Sequence, residues 1–408
     1  MFDIIVIGGG AAGYFSAIQA AMHSNNLRIL LLEKSNKVLS KVKVSGGGRC
    51  NVTNGIENPV EFASNYPRGG KFMKKILYAF SPADCKKWFE DQGVELKQES
   101  DGRVFPITDS SQTVIDCLEK LAEKFGVKLA LQEGLENLSF SEDGFTIKTS
   151  KQVIKSKTVI LASGGSPKNE SYNWLRDLGI EVEPPAPSLF TFNCKQHEFN
   201  DLMGLSCEAK VSIDGSTVNE TGPFLITHWG FSGPAVLKCS AKAARFLQEK
   251  AYEFTIRIHW LPELNQDEIR EWLQKQQSSS SKRIIKHKVF DALPQRLWEA
   301  LVERSGIDST KLWSEIPKKQ INILAETLSA DRWEIKGKTT FKEEFVTCGG
   351  IKLNQLDPNS CMIKSIPGLF AAGELLDIDG VTGGFNFQNA WSTAYVSAHG
   401  ALAYLKNH

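Results

Sequence analysis

The opening stretch FDIIVIGGGAAG limits what this chain can fold into more than any other. Phe2 to Ile7 is a short, mainly apolar and β-branched run, the pattern of a strand buried on both faces of a parallel sheet. Gly8-x-Gly10-x-x-Gly13 follows at once, and Phe15, Ile18 and Met22 then recur at three- and four-residue spacing, which predicts a helix. A second buried strand, Leu27 to Leu32, runs into Glu33 and Lys34. Strand, glycine turn, helix, strand and acid together form the dinucleotide-binding fingerprint in its required context. Gly8 permits the tight turn, and Gly10, Ala11 and Ala12 bring main chain and a helix N-terminus to a pyrophosphate. Gly13 lets helix and strand pack closely, and Glu33 accepts hydrogen bonds from an adenosine ribose.

At 408 residues the chain has room for two or three domains. Its 48 basic and 47 acidic residues leave a net charge of +1, so no global field steers it to nucleic acid or an anionic membrane. The basic stretch Ser281 to Lys288 lacks interleaved aromatics and reads as a solvated helical face. Eight cysteines occur singly, with no CxxC pair, which fits a reducing compartment and offers no local dithiol relay. No His, Cys, Asp or Glu grouping has metal-ligand spacing, no apolar run reaches the roughly 18 residues of a membrane span, and no basic signal-peptide start is present. A cytoplasmic protein is expected.

The doubly wound pattern is interrupted. Leu77 to Phe125 reads as helical with turns at Asp101-Gly102 and Pro106. Short strands follow at Leu129 to Leu131 and Phe145 to Thr149, then the buried strand Thr158 to Ala162 with Ser163-Gly164-Gly165 behind it. Past the proline cluster Pro184 to Pro187 the chain turns to short β segments, with one helix expected from Pro234 to Gln248 and a polar helical stretch from 263 to about 330. The buried strand Gly368 to Ala372 and a helix from Phe387 to Leu405 resume the first pattern. We therefore expect an α/β, doubly wound domain made of 1–188 and 345–408. Into it are inserted a β-barrel-like part, 189–262 with its return at 329–344, and a helical part, 263–328, which is free to serve in a homodimer.

Three further strings carry chemistry. Gly373-Glu374-Leu375-Leu376-Asp377, after a buried strand, resembles the second flavin-binding signature of flavoproteins with two dinucleotide-type folds, where a strand-end acid bonds the ribityl chain or pyrophosphate. Gly383-Gly384-Phe385-Asn386 opens the last helix, whose N-terminus would stabilise negative charge at the flavin C2 carbonyl. Ser45-Gly46-Gly47-Gly48-Arg49-Cys50-Asn51 forgoes side chains where backbone must lie against a flat ligand, with Arg49 and Asn51 as donors. Cys50 fits either a flavin-facing thiol or a buried packing cysteine. Ala162 and Gly164 mark a strand end crossing near the dinucleotide. In the insertion, Thr227 to Pro234 places His228 as either an acid/base at a substrate pocket roofing the flavin or a packing residue.

These strings, their order, and THWGFSGP and TCGGIKL between them resemble the BaiN/YhiN-type bacterial flavoproteins, a family of NAD(P)/FAD-dependent oxidoreductases, over essentially the whole chain. The resemblance implies tightly bound, non-covalent FAD in a glutathione-reductase-like domain, NADH or NADPH as transient reductant, and hydride passing through the flavin to or from a small-molecule substrate. Where the family commonly has a Gly-Arg-Lys step, this chain reads Leu39-Ser40-Lys41, so only Lys41 remains at that corner. Two alternatives stand: a non-catalytic flavin-binding or redox-sensing protein, and a flavin-dependent RNA-modifying enzyme.

Overall fold

A computed structural model describes residues 1–408 except 25, 195–198 and 339–345. The chain divides into two units, Met1–Ala186 with Val346–His408, and Pro187–Phe345. The architecture is the expected doubly wound α/β sheet with an inserted antiparallel barrel and helices.

In the first unit, β1 (Phe2–Ile7) pairs in parallel with β2 (Ile29–Leu32) on one side and with the strand Val153–Leu161 on the other. Lys128–Ala130 extends the sheet beyond β2, and Leu369–Ala371 pairs with the second half of Val153–Leu161. The first half of that long strand instead joins an antiparallel meander through Gly144–Thr149 to Leu135–Ser141. β1 is buried from Asp3 onward, as its apolar composition dictates.

Helix α1 (Ala11–Met22) lies against the last helix, Phe385–Asn407. Buried alanines on both helices (Ala12, Ala17 and Ala20; Ala394, Ala398 and Ala401) allow close approach. Phe15 anchors the contact, its ring 5.4 Å from Trp391, 4.6 Å from Trp88 and 5.5 Å from Phe80. Edge and tilted pairs of this kind add to the burial of the rings themselves.

Local propensity and tertiary pairing part company in a few places. Leu96–Gln98 and Arg103–Pro106 form a hairpin inside the stretch expected to be helical, because Gly102 takes φ +85° in the turn. Val182–Ser188 pairs with Val346–Ile351 despite its three prolines, and Ile351 is bridged in turn to Leu376 on the other side. The helix expected from Pro234 to Gln248 breaks at Ala243 into Pro234–Lys242 and Ala244–Glu249. Ser281 to Lys288 is a turn segment, with Ile284 bridged to Leu312, not a helical face.

The second unit carries six antiparallel strands in the order Phe192–Asn193, Gly230–Ser232, Asn219–Thr227, Ser206–Ile213, Glu253–His259 and Asp331–Lys336. Phe192 of the first is bridged to Lys338, just beyond the last, which brings the sheet to near closure as a small barrel. Phe192, Phe224, Phe231, Trp260 and Trp333 fill it. Helices Gln266–Ser279, Gln295–Arg304 and Lys318–Ala330 pack around Trp298 and Trp313 and continue the same core.

Asp331 joins barrel and helices. Only 4% exposed, it accepts hydrogen bonds from Trp260 Nε1 (3.1 Å), Trp333 Nε1 (2.8 Å) and Arg304 Nε (2.8 Å). Asp331→Ala strands all three donors and should cost about 3–5 kcal/mol in urea unfolding; a loss below about 1 kcal/mol would show the cluster to be dispensable. Burial raises this carboxyl above its ordinary 3.8, and Arg304 only partly opposes the shift. The folded state then holds the proton longer than the unfolded one. Asp331's contribution to stability therefore falls as pH rises from 3.8 through the raised folded value, a slope that Asp331→Asn should remove.

Candidate functional site

Four parallel strands end together, and each runs into a segment singled out in the sequence. Ile7 of β1 sits level with Leu32 of β2 and with Leu161, and Leu161 with Ala371. Beyond these ends lie Gly8–Gly13, Glu33, Ala162–Gly165 and Gly373–Asp377 respectively. The sheet order reverses at β1, and in open α/β sheets ligands bind outside the carboxyl ends at such a switch point.

The glycine turn has little room on its inner side and open space on its outer side. Gly8 takes φ +114°, and a Cβ there would fall 2.3 Å from the Ala162 carbonyl oxygen; one at Gly13 would fall 1.8 Å from the Gly8 oxygen. A Cβ at Gly10 would meet nothing within 4 Å. Gly10 is also the N-cap of α1, where no side chain caps the helix and no acid occupies the first turn. The first N–H groups of the helix, from Ala11 and Ala12 onward, are thus open donors at its positive end.

Glu33 faces the same turn. Its Oε2 accepts the Gly9 N–H and its Oε1 the Ser35 N–H, both at 2.8 Å. A carboxylate has about four lone-pair sites, so two remain for ribose hydroxyls. An uncapped helix start, an approachable Gly10 and an acceptor pair beside them fit a dinucleotide. Lys34 is exposed just beyond.

Long-range contacts draw the distal string to this end. Glu374 forms an ion pair with Lys41, on the segment α2 (Ser40–Gly48), and accepts the Thr347 N–H at 3.0 Å. Asp377 accepts the Gly349 N–H at 3.1 Å. Gly373 donates to Thr393 Oγ1 of the last helix at 2.8 Å and touches Ala12 of α1. Asn386 clamps Gly380 with two 2.9 Å hydrogen bonds, one in each direction. Gly384, φ +95°, is the N-cap of the last helix, again with no side-chain cap; a Cβ there would fall 2.3 Å from the Thr53 oxygen. Phe385 is buried, its ring 4.8 Å from that of Phe62.

The loop Ser45–Asn51 docks on the same helix start. Its helix breaks where Ser45 becomes extended and Gly46 and Gly47 turn left-handed; a Cβ at Gly47, Gly48 or Gly164 would meet nothing within 4 Å. Trp391 Nε1 donates to the Val52 oxygen at 3.0 Å, and Asn54 Nδ2 to the Gly383 oxygen at 3.0 Å. Arg49 is engaged with the protein, 2.7 Å from Glu99 and with its guanidinium 3.9 Å above the Phe105 ring. Asn51 Oδ1 accepts the Val104 N–H at 3.3 Å. Cys50 is fully buried, and burial pushes its thiol up to about 12, so it stays protonated at neutral pH. His228 belongs to the second unit, exposed in the turn after Asn219–Thr227, its ring 4.3 Å from that of Trp229.

Sequence reasoning missed Thr347, Thr393 and Asn389. Asn389, 1% exposed on the last helix, has its Oδ1 without a partner among the described residues, one turn before Thr393. The signal was available: Asn386, Gln388 and Asn389 crowd three amides into an otherwise apolar helix start. Among the described residues no group of three or more His, Cys, Asp or Glu could hold a metal ion.

Comparison with known proteins agrees with this geometry. A family model described as the HI0933-like protein Rossmann domain matches residues 2–400. The 3-dehydro-bile acid delta(4,6)-reductase of Clostridium scindens is 28% identical over 410 residues, covering 98% of this chain and 99% of that protein. The ribosomal RNA dihydrouridine synthase of Escherichia coli is 29% identical over 416 residues, covering 98% of each. Among solved structures, the 3-ketosteroid-delta4-(5alpha)-dehydrogenase of Rhodococcus jostii superposes with a TM-score of 0.52 at 14% identity, over 97% of this chain and 96% of that one, a likeness of fold.

The crowded Gly13 and the open Gly10 should respond differently to a methyl group. Gly13→Ala, with no space for its methyl group, should lose about 3 kcal/mol or more in denaturant unfolding. Gly10→Ala, at φ −89°, should lose less than about 1 kcal/mol. Equal losses would contradict the placement of the turn.

Proposed function

The chain belongs to the HI0933-like Rossmann family, and from that premise we propose that it is an FAD-dependent oxidoreductase, reduced by NADH or NADPH, that hydrogenates a carbon–carbon double bond of a small organic substrate. The observation that carries the cofactor is the uncapped start of α1 behind an open Gly10, with Glu33 beside it. The reaction type is supported by the names of the two long relatives, a delta(4,6)-reductase and a dihydrouridine synthase, which both denote saturation of a double bond.

On this reading Gly10, Ala11 and Ala12 take the pyrophosphate, Glu33 the ribose, and the Asn389 amide a polar group of the linking chain. FAD, when bound, supplies hydride transfer at its ring N5. The second uncapped helix start, at Gly384, lends its positive end to negative charge at the ring's pyrimidine edge. Glu374 is held by Lys41 and the Thr347 N–H, which keeps a carboxylate beside the cofactor from turning freely. Cys50 contributes packing, and electrons pass without a thiol relay.

A second reading, hydrogenation of a pyrimidine in RNA, is favoured by the Escherichia coli relative's name. Purified protein should be yellow and release FAD identified by mass, and anaerobic NADH or NADPH should bleach it. The bleached protein is then mixed with a 3-oxo-delta4 steroid acid or with ribosomal RNA fragments. Rapid return of colour with the acid supports the first reading, and with RNA alone the second. Colourless protein that cannot be reconstituted would overturn both. Inertness to both nicotinamides would leave a non-catalytic flavin binder. Cys50→Ser should change the rate of bleaching by less than about tenfold; a loss beyond about a hundredfold, roughly 2.7 kcal/mol of barrier, would make the thiol essential.

A further inference from the structure

On the first unit a cavity of about 830 Å³ opens between the helix Gly70–Ala79 and the segment 353–364. That is the size of a small-molecule site. None of the residues that frame the candidate dinucleotide turn lines it.

Its apolar lining is Pro67, Leu353 and Pro358, each partly exposed, over the buried Phe72, Leu356 and Tyr66. Its rim is cationic. Lys71 and Lys75 project from one face of the helix at i, i+4 spacing, and Lys364 reaches in from the opposite segment. The Lys71 and Lys75 side chains have no polar partner among the described residues, and Lys364 Nζ donates to the Asn354 carbonyl oxygen at 2.7 Å. No acidic residue lines the cavity.

This arrangement violates local rules in a consistent direction. The helix start carries no side-chain cap: its N-cap is Gly69, at φ +79°, and no acid stands in the first turn. A lysine occupies that turn instead, where the helix's own positive end disfavours a cation. A second lysine four residues on repels the first. Open N–H donors and three cations therefore converge on one concave, apolar-floored space, and an anion relieves all of these conflicts at once. The cavity wall is also tied to the loop after Gly373: Arg68 pairs with the buried Asp379, and Gly69 packs on Ile378.

We propose that this cavity binds the phosphate group of a nucleotide, its base or sugar lying against Pro67, Leu353 and Pro358 and its phosphate held by Lys71, Lys75, Lys364 and the helix start. The chemistry is the same whether the phosphate belongs to a free dinucleotide such as NADPH or to a nucleotide of RNA. The site does not depend on which double bond the protein reduces.

The test uses purified protein saturated with FAD, so that the dinucleotide turn is filled. Inorganic pyrophosphate, titrated calorimetrically, should bind saturably and weaken as salt rises. Binding should fall about tenfold or more in Lys71→Gln/Lys75→Gln and in Lys364→Gln, with flavin content and melting temperature unchanged. Saturable binding that survives both variants, or none up to about 5 mM at low salt, would overturn the site. NADPH and a short RNA are then titrated in parallel. Loss of NADPH binding alone in the variants identifies the free dinucleotide as the source, and loss of RNA binding alone identifies RNA. If neither ligand is affected, the nucleotide assignment is wrong. The readout is binding and not turnover, so it can fail while the oxidoreductase reading stands, and the reverse.

Discussion

Between the Gly8 carbonyl and Gly13 there is no space for a single methyl group, and that contact governs the rest of the first unit. It sets α1 hard against the end of β1, so the helix axis and its positive end are directed across the carboxyl edge of the sheet. With α1 so placed, the last helix has one stripe of small residues to pack against, and it delivers a second uncapped N-terminus to the same end. Two helix starts without acidic caps at one sheet edge are costly in isolation, and on the proposed reading a bound anionic cofactor would supply the missing partner.

The remaining order comes from contacts between the two ends of the chain. Lys41 meets Glu374, Thr53 Oγ1 meets Gln388, Trp391 meets the Val52 carbonyl and Arg68 meets Asp379. Each joins residues from the first 70 positions to residues beyond 370. Through them the loop Ser45–Asn51 and the loop Gly373–Gly384 are fixed to common elements, whatever lies in the intervening chain. The inserted unit is organised by its own means: a barrel brought near closure by the Phe192–Lys338 bridge, and an Asp331 cluster that shares one carboxylate among two indoles and a guanidinium.

What could be read in the sequence was local. Phe2 to Glu33 states its own structure, because period, turn chemistry and the terminal acid all lie within one βαβ unit. The helix after Gly384 and the β-rich character of the insertion were legible for the same reason. Partners distant in sequence were not. Nothing near Arg49 shows that Glu99 and Phe105 engage its side chain, and nothing near Lys41 points to Glu374. In the hairpin Leu96–Pro106 the turn at Asp101-Gly102 was legible, but the pairing of its second strand with Thr53, distant in sequence, was not. The Oδ1 of Asn389, without a partner among the described residues, becomes visible only when the last helix is packed, since an amide at a helix start ordinarily faces water.

The central claim is that the start of α1 holds a pyrophosphate, with Glu33 turned to a ribose. A crystal structure of the protein with FAD measures it directly. The account predicts pyrophosphate oxygens about 2.7–3.2 Å from the main-chain N–H groups that follow Gly10, and ribose hydroxyls on the Glu33 carboxylate. A pyrophosphate elsewhere on the chain, with Glu33 bonded only to Gly9 and Ser35 as it is without a ligand, would contradict it.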